Sequence, residues 1–216
     1  TVGVRQAVVD AILGMRFIRR TPVLFAAISL DLFAVLFGGA VALLPAIAED
    51  RLGVGAIGLG WLRAAVGIGA GIVAVTLSIR PLQRHIGRTL LAVVTLFGVG
   101  TIVLGLSRNY VMAFVAIMVL SGADAVSMFI RLTIVPLATP ENMRGRVLAL
   151  ENVFIGASSE LGAFESGVTA ALLGLTGAIV FGGIGTLAVV ALWAVLFPAL
   201  RNVDRFDEVR NPTPIE

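Results

Sequence analysis

The chain has 216 residues, 58% of them apolar and only 13% charged, with a formal net charge of +3; soluble domains carry about a quarter charged residues. A mean hydropathy of +1.03 excludes an ordinary water-soluble domain and makes the lipid bilayer the expected solvent. The absence of cysteine excludes disulfides and thiolate metal sites. All 16 basic residues are arginine, and all but Arg63 and Arg131 sit in the termini and the short gaps between apolar runs rather than along one polar face, which argues against nucleic acid as a partner.

In chain order, residues 1–21 form a polar arm carrying Arg5, Arg16, Arg19 and Arg20. The arm lacks both an initiator methionine and the charged-start, apolar-middle order of a signal peptide, so the chain reads as a piece of a longer protein. A bilayer core needs about 20 mostly apolar residues per helix. Six runs satisfy this, predicting an all-α membrane bundle with spans over 22–48, 55–79, 89–106, 110–138, 148–175 and 178–200. The polar, proline-bearing stretch 201–216 reads as a largely disordered tail. Arginine is retained on the cytoplasmic face. Twelve arginines fall in the arm, the gaps 80–88 and 139–147 and the tail, which includes Arg201, Arg205 and Arg210; only Arg51 and Arg108 fall on the other side. Both termini are therefore expected to be cytoplasmic.

An internal repeat is visible. "DLFAVLFGGAVALLPAIAEDRLG" from Asp31 and "DAVSMFIRLTIVPLATPENMRG" from Asp124 share an aspartate, a later proline, then an acid and a glycine, while "FGVGTI" at 97–102 echoes "FGGIGTL" at 181–187. Span one runs outward and span four inward, so the pattern predicts two inverted three-helix repeats. Span five carries Ser158, Gly162, Ser166, Ala170 and Gly174 at a four-residue step, a small-residue stripe of the kind that lets helix backbones approach in lipid. Gly67 and Gly71 make a shorter version in span two.

A charge at the centre of a membrane helix costs about 2.5–3.5 kcal/mol on insertion scales, so each needs a partner or a purpose. At 1.5 Å per residue, Asp31 and Arg131 both lie roughly 12 Å from the cytoplasmic ends of their helices, which suits a structural or gating ion pair. Glu160 is a second possible partner for Arg131. Asp124 lies near the midplane on the Arg131 face of span four, about 10 Å along the helix. A desolvated midplane acid can load and release a proton, so Asp124, Glu160 and Asp31 are proton-coupling candidates. Glu165, in the outer half of span five, faces either a cavity or the headgroups. Arg63 is expected to reach outward toward Glu49 or Asp50, and Glu151 to sit nearer the interface. The sole histidine, His85, falls in a gap, which disfavours a membrane serine protease. "SGAD" at 121–124 lacks the second glycine of an intramembrane aspartyl protease. Phosphate loops, dinucleotide fingerprints and metal clusters are absent, so neither an enzyme nor a metal or other cofactor is expected.

The six spans, the gap "RPLQRHIGR" at 80–88 and above all "TPENMRGRVLALENVFIGASSELGAFESG" at 139–167 resemble the C-terminal half of a major facilitator superfamily exporter. The likeness is to the drug and siderophore efflux branch that includes macrolide and enterobactin exporters. In the first gap, Leu82, Gly87 and Arg88 fit that superfamily's loop motif, while Arg80 and Arg84 replace its glycine and aspartate; Arg144, Gly145 and Arg146 belong to the second gap. The resemblance implies a secondary transporter of the bacterial inner membrane that exports a small molecule by alternating access, with Phe33, Phe37 and Phe129 as an apolar wall of its cavity; the intramembrane acids point to the proton as the coupling ion. It also implies a partner, the N-terminal six-helix half of the same transporter, and puts Asp31, Asp124 and Arg131 on the route. A non-transporting six-helix assembly or sensor protein is the alternative.

Overall fold

A computed structural model describes residues 3–209, and all their regular structure is helical. The order is α1 (Val4–Arg20), α2 (Pro22–Phe37), α3 (Leu44–Ala46), α4 (Ala56–Ile79), α5 (Ile86–Leu106), α6 (Tyr110–Leu137), α7 (Glu141–Leu196) and α8 (Pro198–Arg201), closed by a 3-10 turn Phe206–Val209. Among the described residues, five helical segments are long and apolar enough to cross a membrane: Pro22–Arg51, α4, α5, α6 and α7.

Local chemistry sets the boundaries. Pro22 opens α2 one residue after Thr21, where a proline loses no intrahelical hydrogen bond. Asn109 caps α6 by accepting the Met112 N–H at 2.7 Å. Beyond α2 the helix tightens into a 3-10 turn at Gly39–Leu43 and widens into a π turn at Ile47–Arg51. The Gly38–Gly39 pair and Pro45, which has no N–H to donate, account for the irregularity.

The fifth segment differs most from the sequence expectation. Where the sequence predicts spans 148–175 and 178–200, two helices follow one another across a kink within the 56 residues Glu141–Leu196, and the first begins at Glu141, inside the expected 139–147 gap. A straight helix of that length would be about 84 Å long, far beyond a bilayer core of about 30 Å. The helix breaks at Gly174, whose φ of 72° and ψ of 168° few residues with a Cβ adopt. A Cβ at Gly162 would lie 2.8 Å from the carbonyl oxygens of Val35 and Leu36, and one at Gly182 would meet that of Phe37. Two residues 20 apart thus touch the same turn of α2, so the chain doubles back at Gly174 into two arms, 141–173 and 175–196.

Packing is by close backbone approach. The first arm of α7 runs parallel to α2, with Ser158, Gly162 and Ser166 set against Leu32, Leu36 and Gly39; Ser158 Oγ donates to the Leu32 carbonyl. Ala170 is half-buried and Gly174 is the break itself. In the same manner α4 runs parallel to α6, with Ser121 Oγ donating to the Val66 carbonyl at 2.8 Å and Tyr110 Oη to that of Gly58 at 2.9 Å. The small residue at this contact is Gly69, whose Cβ would meet the backbone of Met118 and Gly122; Gly67 and Gly71 face open space. The reason is phase, since Leu62, Ala65 and Gly69 share one buried face of α4. The second arm of α7 packs antiparallel on α5, where Gly98 and Gly183 abut. One apolar core gathers Ile18, Leu24, Ile86, Ile134, Val147 and Leu200 at one end of the bundle, and a second gathers Leu44, Leu62, Leu104 and Ile117 at the other.

The tail is docked rather than disordered as far as it is described. Val203 and Val209 are buried and Phe206 packs on the core, because three apolar side chains in the polar stretch find the groove beside α6. Residues 210–216, Arg210 among them, and the side chain of Arg5 lie outside the described residues.

Candidate functional site

At the end of the bundle where α1 and α8 sit, α2, α6 and α7 bring three charges together. Arg131 Nη2 stands 2.9 Å from Asp31 Oδ1, and Nη1 stands 3.5 Å from Glu151 Oε1. All three are buried, at 5%, 4% and 3% exposure. One guanidinium thus faces two carboxylates, a formal surplus of one negative charge in a low-dielectric setting. Arg131 Nε, Glu151 Oε1 and Ser127 Oγ are buried without a hydrogen-bond partner among the described residues, an uncommon state for buried polar atoms. Ser127 lies one turn from Arg131 on the same face of α6 as Asp124.

Arg131 therefore has the level partner the spacing suggested, Asp31, but its second acid is Glu151 and not Glu160. The helix start explains the change. α7 begins at Glu141 rather than at 148, which carries Glu151 about 10 Å deeper from its helix end than the sequence reading placed it. The "TPEN" stretch at 139–142, proline followed by an acid, is the helix-start signal that would have found it.

The other expected site residues scatter. Asp124 is exposed on α6, beside the exposed Met128 and Leu132, within Coulombic reach of Asp31 and Arg131. Glu160 is exposed on the outer face of α7. Glu165 is half-buried and accepts from Thr169 Oγ1 at 2.7 Å. Phe33 packs on Trp193 at a ring separation of 5.3 Å and Phe37 on Phe181 at 6.3 Å, so both help join α2 to the second arm of α7; Trp193 also donates to Ser29 Oγ at 3.1 Å. Phe129 meets Phe206 of the tail edge-on at 6.4 Å. Arg63 is exposed on α4, and among the described residues it pairs with neither Glu49 nor Asp50.

The two motif gaps do separate jobs. Leu82 packs against the core. Gly87 is buried where a Cβ would strike the Leu200 carbonyl, and its N–H donates to Val203 O at 3.0 Å. Arg88 is exposed beside Arg201 and Asp204. Asp204 accepts the His85 N–H at 3.0 Å and pairs with Arg84 Nε at 3.2 Å. The His85 N–H and the Arg84 guanidinium hold the Asp204 carboxyl below the usual carboxylate range. In the second gap, Arg144 Nε donates to the Pro136 carbonyl at 3.2 Å, Arg146 pairs with Asp10 at 3.0 Å, and Gly145 is exposed. Among the described residues no group of three or more metal-ligating acids or histidines is placed to hold an ion.

Membrane-length helices around a buried ionic cluster, with further charges on the same apolar surface, define a polytopic membrane protein. Residues 4–214 match the family model described as transmembrane secretion effector, and the chain belongs to this family of the major facilitator superfamily. Membership makes it a multi-pass membrane transport protein and not an enzyme. No curated protein and no solved structure matches the chain.

Proposed function

We propose that the chain is the C-terminal, six-crossing half of a proton-coupled exporter of small molecules, working by alternating access in a bacterial inner membrane. The observation that carries the reading is Asp124, a carboxylate exposed on an apolar helix surface beside a buried cluster that already has more acid than base. Turned to lipid, that charge would cost about 2.5–3.5 kcal/mol. Turned to a wet cavity closed by the other six helices, it can take up and release a proton. The exposed Glu160 and Arg63 favour such a protein or cavity face for the same reason.

The two arms of α7 supply the fifth and sixth crossings. Pairing α2 with the first arm, α4 with α6, and α5 with the second arm is the pattern that two inverted three-helix units, related by an axis in the membrane plane, would produce. Nearly all the gap and terminal arginines flank the core cluster that gathers Ile18, Ile86, Val147 and Leu200, which supports both termini on the cytoplasmic side. Asp31, Arg131 and Glu151 would tie α2, α6 and α7 at that mouth, and protonation of Asp124 would shift the charge balance on Arg131. The family description, a secretion effector, favours export.

The test is Asp124→Asn in the full-length protein, with proton-driven efflux measured in vesicles. Loss of the dependence on the proton gradient is expected, with downhill substrate movement retained. Unchanged coupling removes Asp124 from the mechanism.

A further inference from the structure

We infer that α1 carries a binding site for one anionic phospholipid, with the phosphate held by Arg16, Arg19 and Arg20 and an acyl chain lying in the groove between α1 and α7. The inner face of α1 is accounted for: Gly14 packs on Leu150 and Arg146, and Phe17 and Ile18 enter the core. The opposite stripe is not. Val9, Ile12 and Leu13 are exposed, Ile12 by 61%, and the same stripe continues through the exposed Arg16, Arg19 and Arg20. These positions follow a spacing of three and four, so one helix edge is apolar in its first half and cationic in its second.

A groove of about 570 Å³ lies along this edge, walled by Ile12, Met15 and Leu150 and rimmed by the three arginines. Among the described residues none of the three has an acidic partner. The helix C-terminus favours basic groups in its last turn, which accounts for Arg19 and Arg20 but not for Arg16. Depth supplies the rest. Only Thr21 separates Arg20 from Pro22, the first residue of a membrane-length segment, so the guanidinium groups sit at headgroup level while the groove offers cover for hydrocarbon. Clustered arginines beside a membrane helix attract acidic lipid headgroups, and an amphipathic helix at the interface seats its apolar edge among acyl chains.

The chain has no cysteine, so a fluorophore can be placed uniquely by Ile12→Cys if the rest of the full-length protein is kept cysteine-free. The labelled protein is reconstituted in phosphatidylcholine bilayers, and brominated-chain phosphatidylglycerol is compared with brominated-chain phosphatidylcholine at equal mole fraction. Quenching should show a preference for the anionic lipid of at least about tenfold. The preference should survive Arg16→Lys/Arg19→Lys/Arg20→Lys and 10 mM inorganic phosphate, and fall to parity in Arg16→Gln/Arg19→Gln/Arg20→Gln. Equal quenching by both lipids in the parent protein overturns the site in favour of ordinary lipid contact. Absence of quenching by either overturns it in favour of a protein segment covering the groove, and loss of the preference in phosphate reassigns the arginines to free anions. The parent and lysine arms decide the matter even if the glutamine variant fails to fold.

Discussion

Replacing Arg131 by methionine would leave Asp31 and Glu151 facing each other with no cation between them. The cluster would pass from a formal charge of −1 to −2 with no change in burial, and stripping one partner from a buried ion pair costs about 3–5 kcal/mol. Asp31→Asn acts differently. It removes the negative charge from the 2.9 Å contact while the amide Oδ1 can still accept, and it leaves Arg131 with Glu151, a neutral pair, so the loss is the charge assistance of one hydrogen bond, about 1–2 kcal/mol. Glu151→Gln removes the more distant acid, at 3.5 Å, and the surplus charge with it, so a change of less than about 1 kcal/mol, in either direction, is expected. The order Arg131→Met, Asp31→Asn, Glu151→Gln, from most to least damaging, is read from SDS-driven unfolding in mixed micelles at neutral pH. If Glu151→Gln proves as costly as Arg131→Met, the surplus-charge argument fails and the three groups act as one hydrogen-bonded unit.

Gly162→Ala should destabilise by about 1–3 kcal/mol in the same assay, because its Cβ would press on two backbone carbonyls of α2 at 2.8 Å; Gly67→Ala, in open space, should stay within about 0.5 kcal/mol, and equal effects would discount the close approach. The Asp204 clasp should respond to acid alone. Its folded carboxyl lies below the ordinary range, so its contribution is complete above the unfolded pKa of about 3.9 and is lost as pH falls through the lower folded value. Amide exchange at Ile86 and Gly87, corrected for its intrinsic pH dependence, should be flat from pH 8 to 5 and accelerate below about pH 4, whereas Asp204→Asn should accelerate it throughout. Acceleration that sets in well above pH 5 would refute the assignment to Asp204.

The membrane class, the short connections and the positions of the first four spans were legible in the sequence because each depends on local quantities: apolar length, proline, and a capping side chain such as that of Asn109. The level match of Asp31 and Arg131 was legible for the same reason, as helical rise converts residue number into depth. Glu151 was not, since one misplaced helix start moved it by two turns. Nor was the docked tail, whose polar composition hid three apolar side chains that matter only once a groove exists to receive them.

Sequence by itself determined that this chain is a bundle of apolar helices carrying a few costly charges. Tertiary structure alone decided that Glu151 joins Arg131 and that Gly69, not Gly67 or Gly71, is the contact point of α4. The glycine contacts depend on the rotation of each helix about its axis, which places Gly69 against α6 and Gly67, about 160° round the same helix, in open space. Composition and hydropathy are nearly blind to that rotation when lipid and protein interior are equally apolar, so only the assembled backbone contacts fix it.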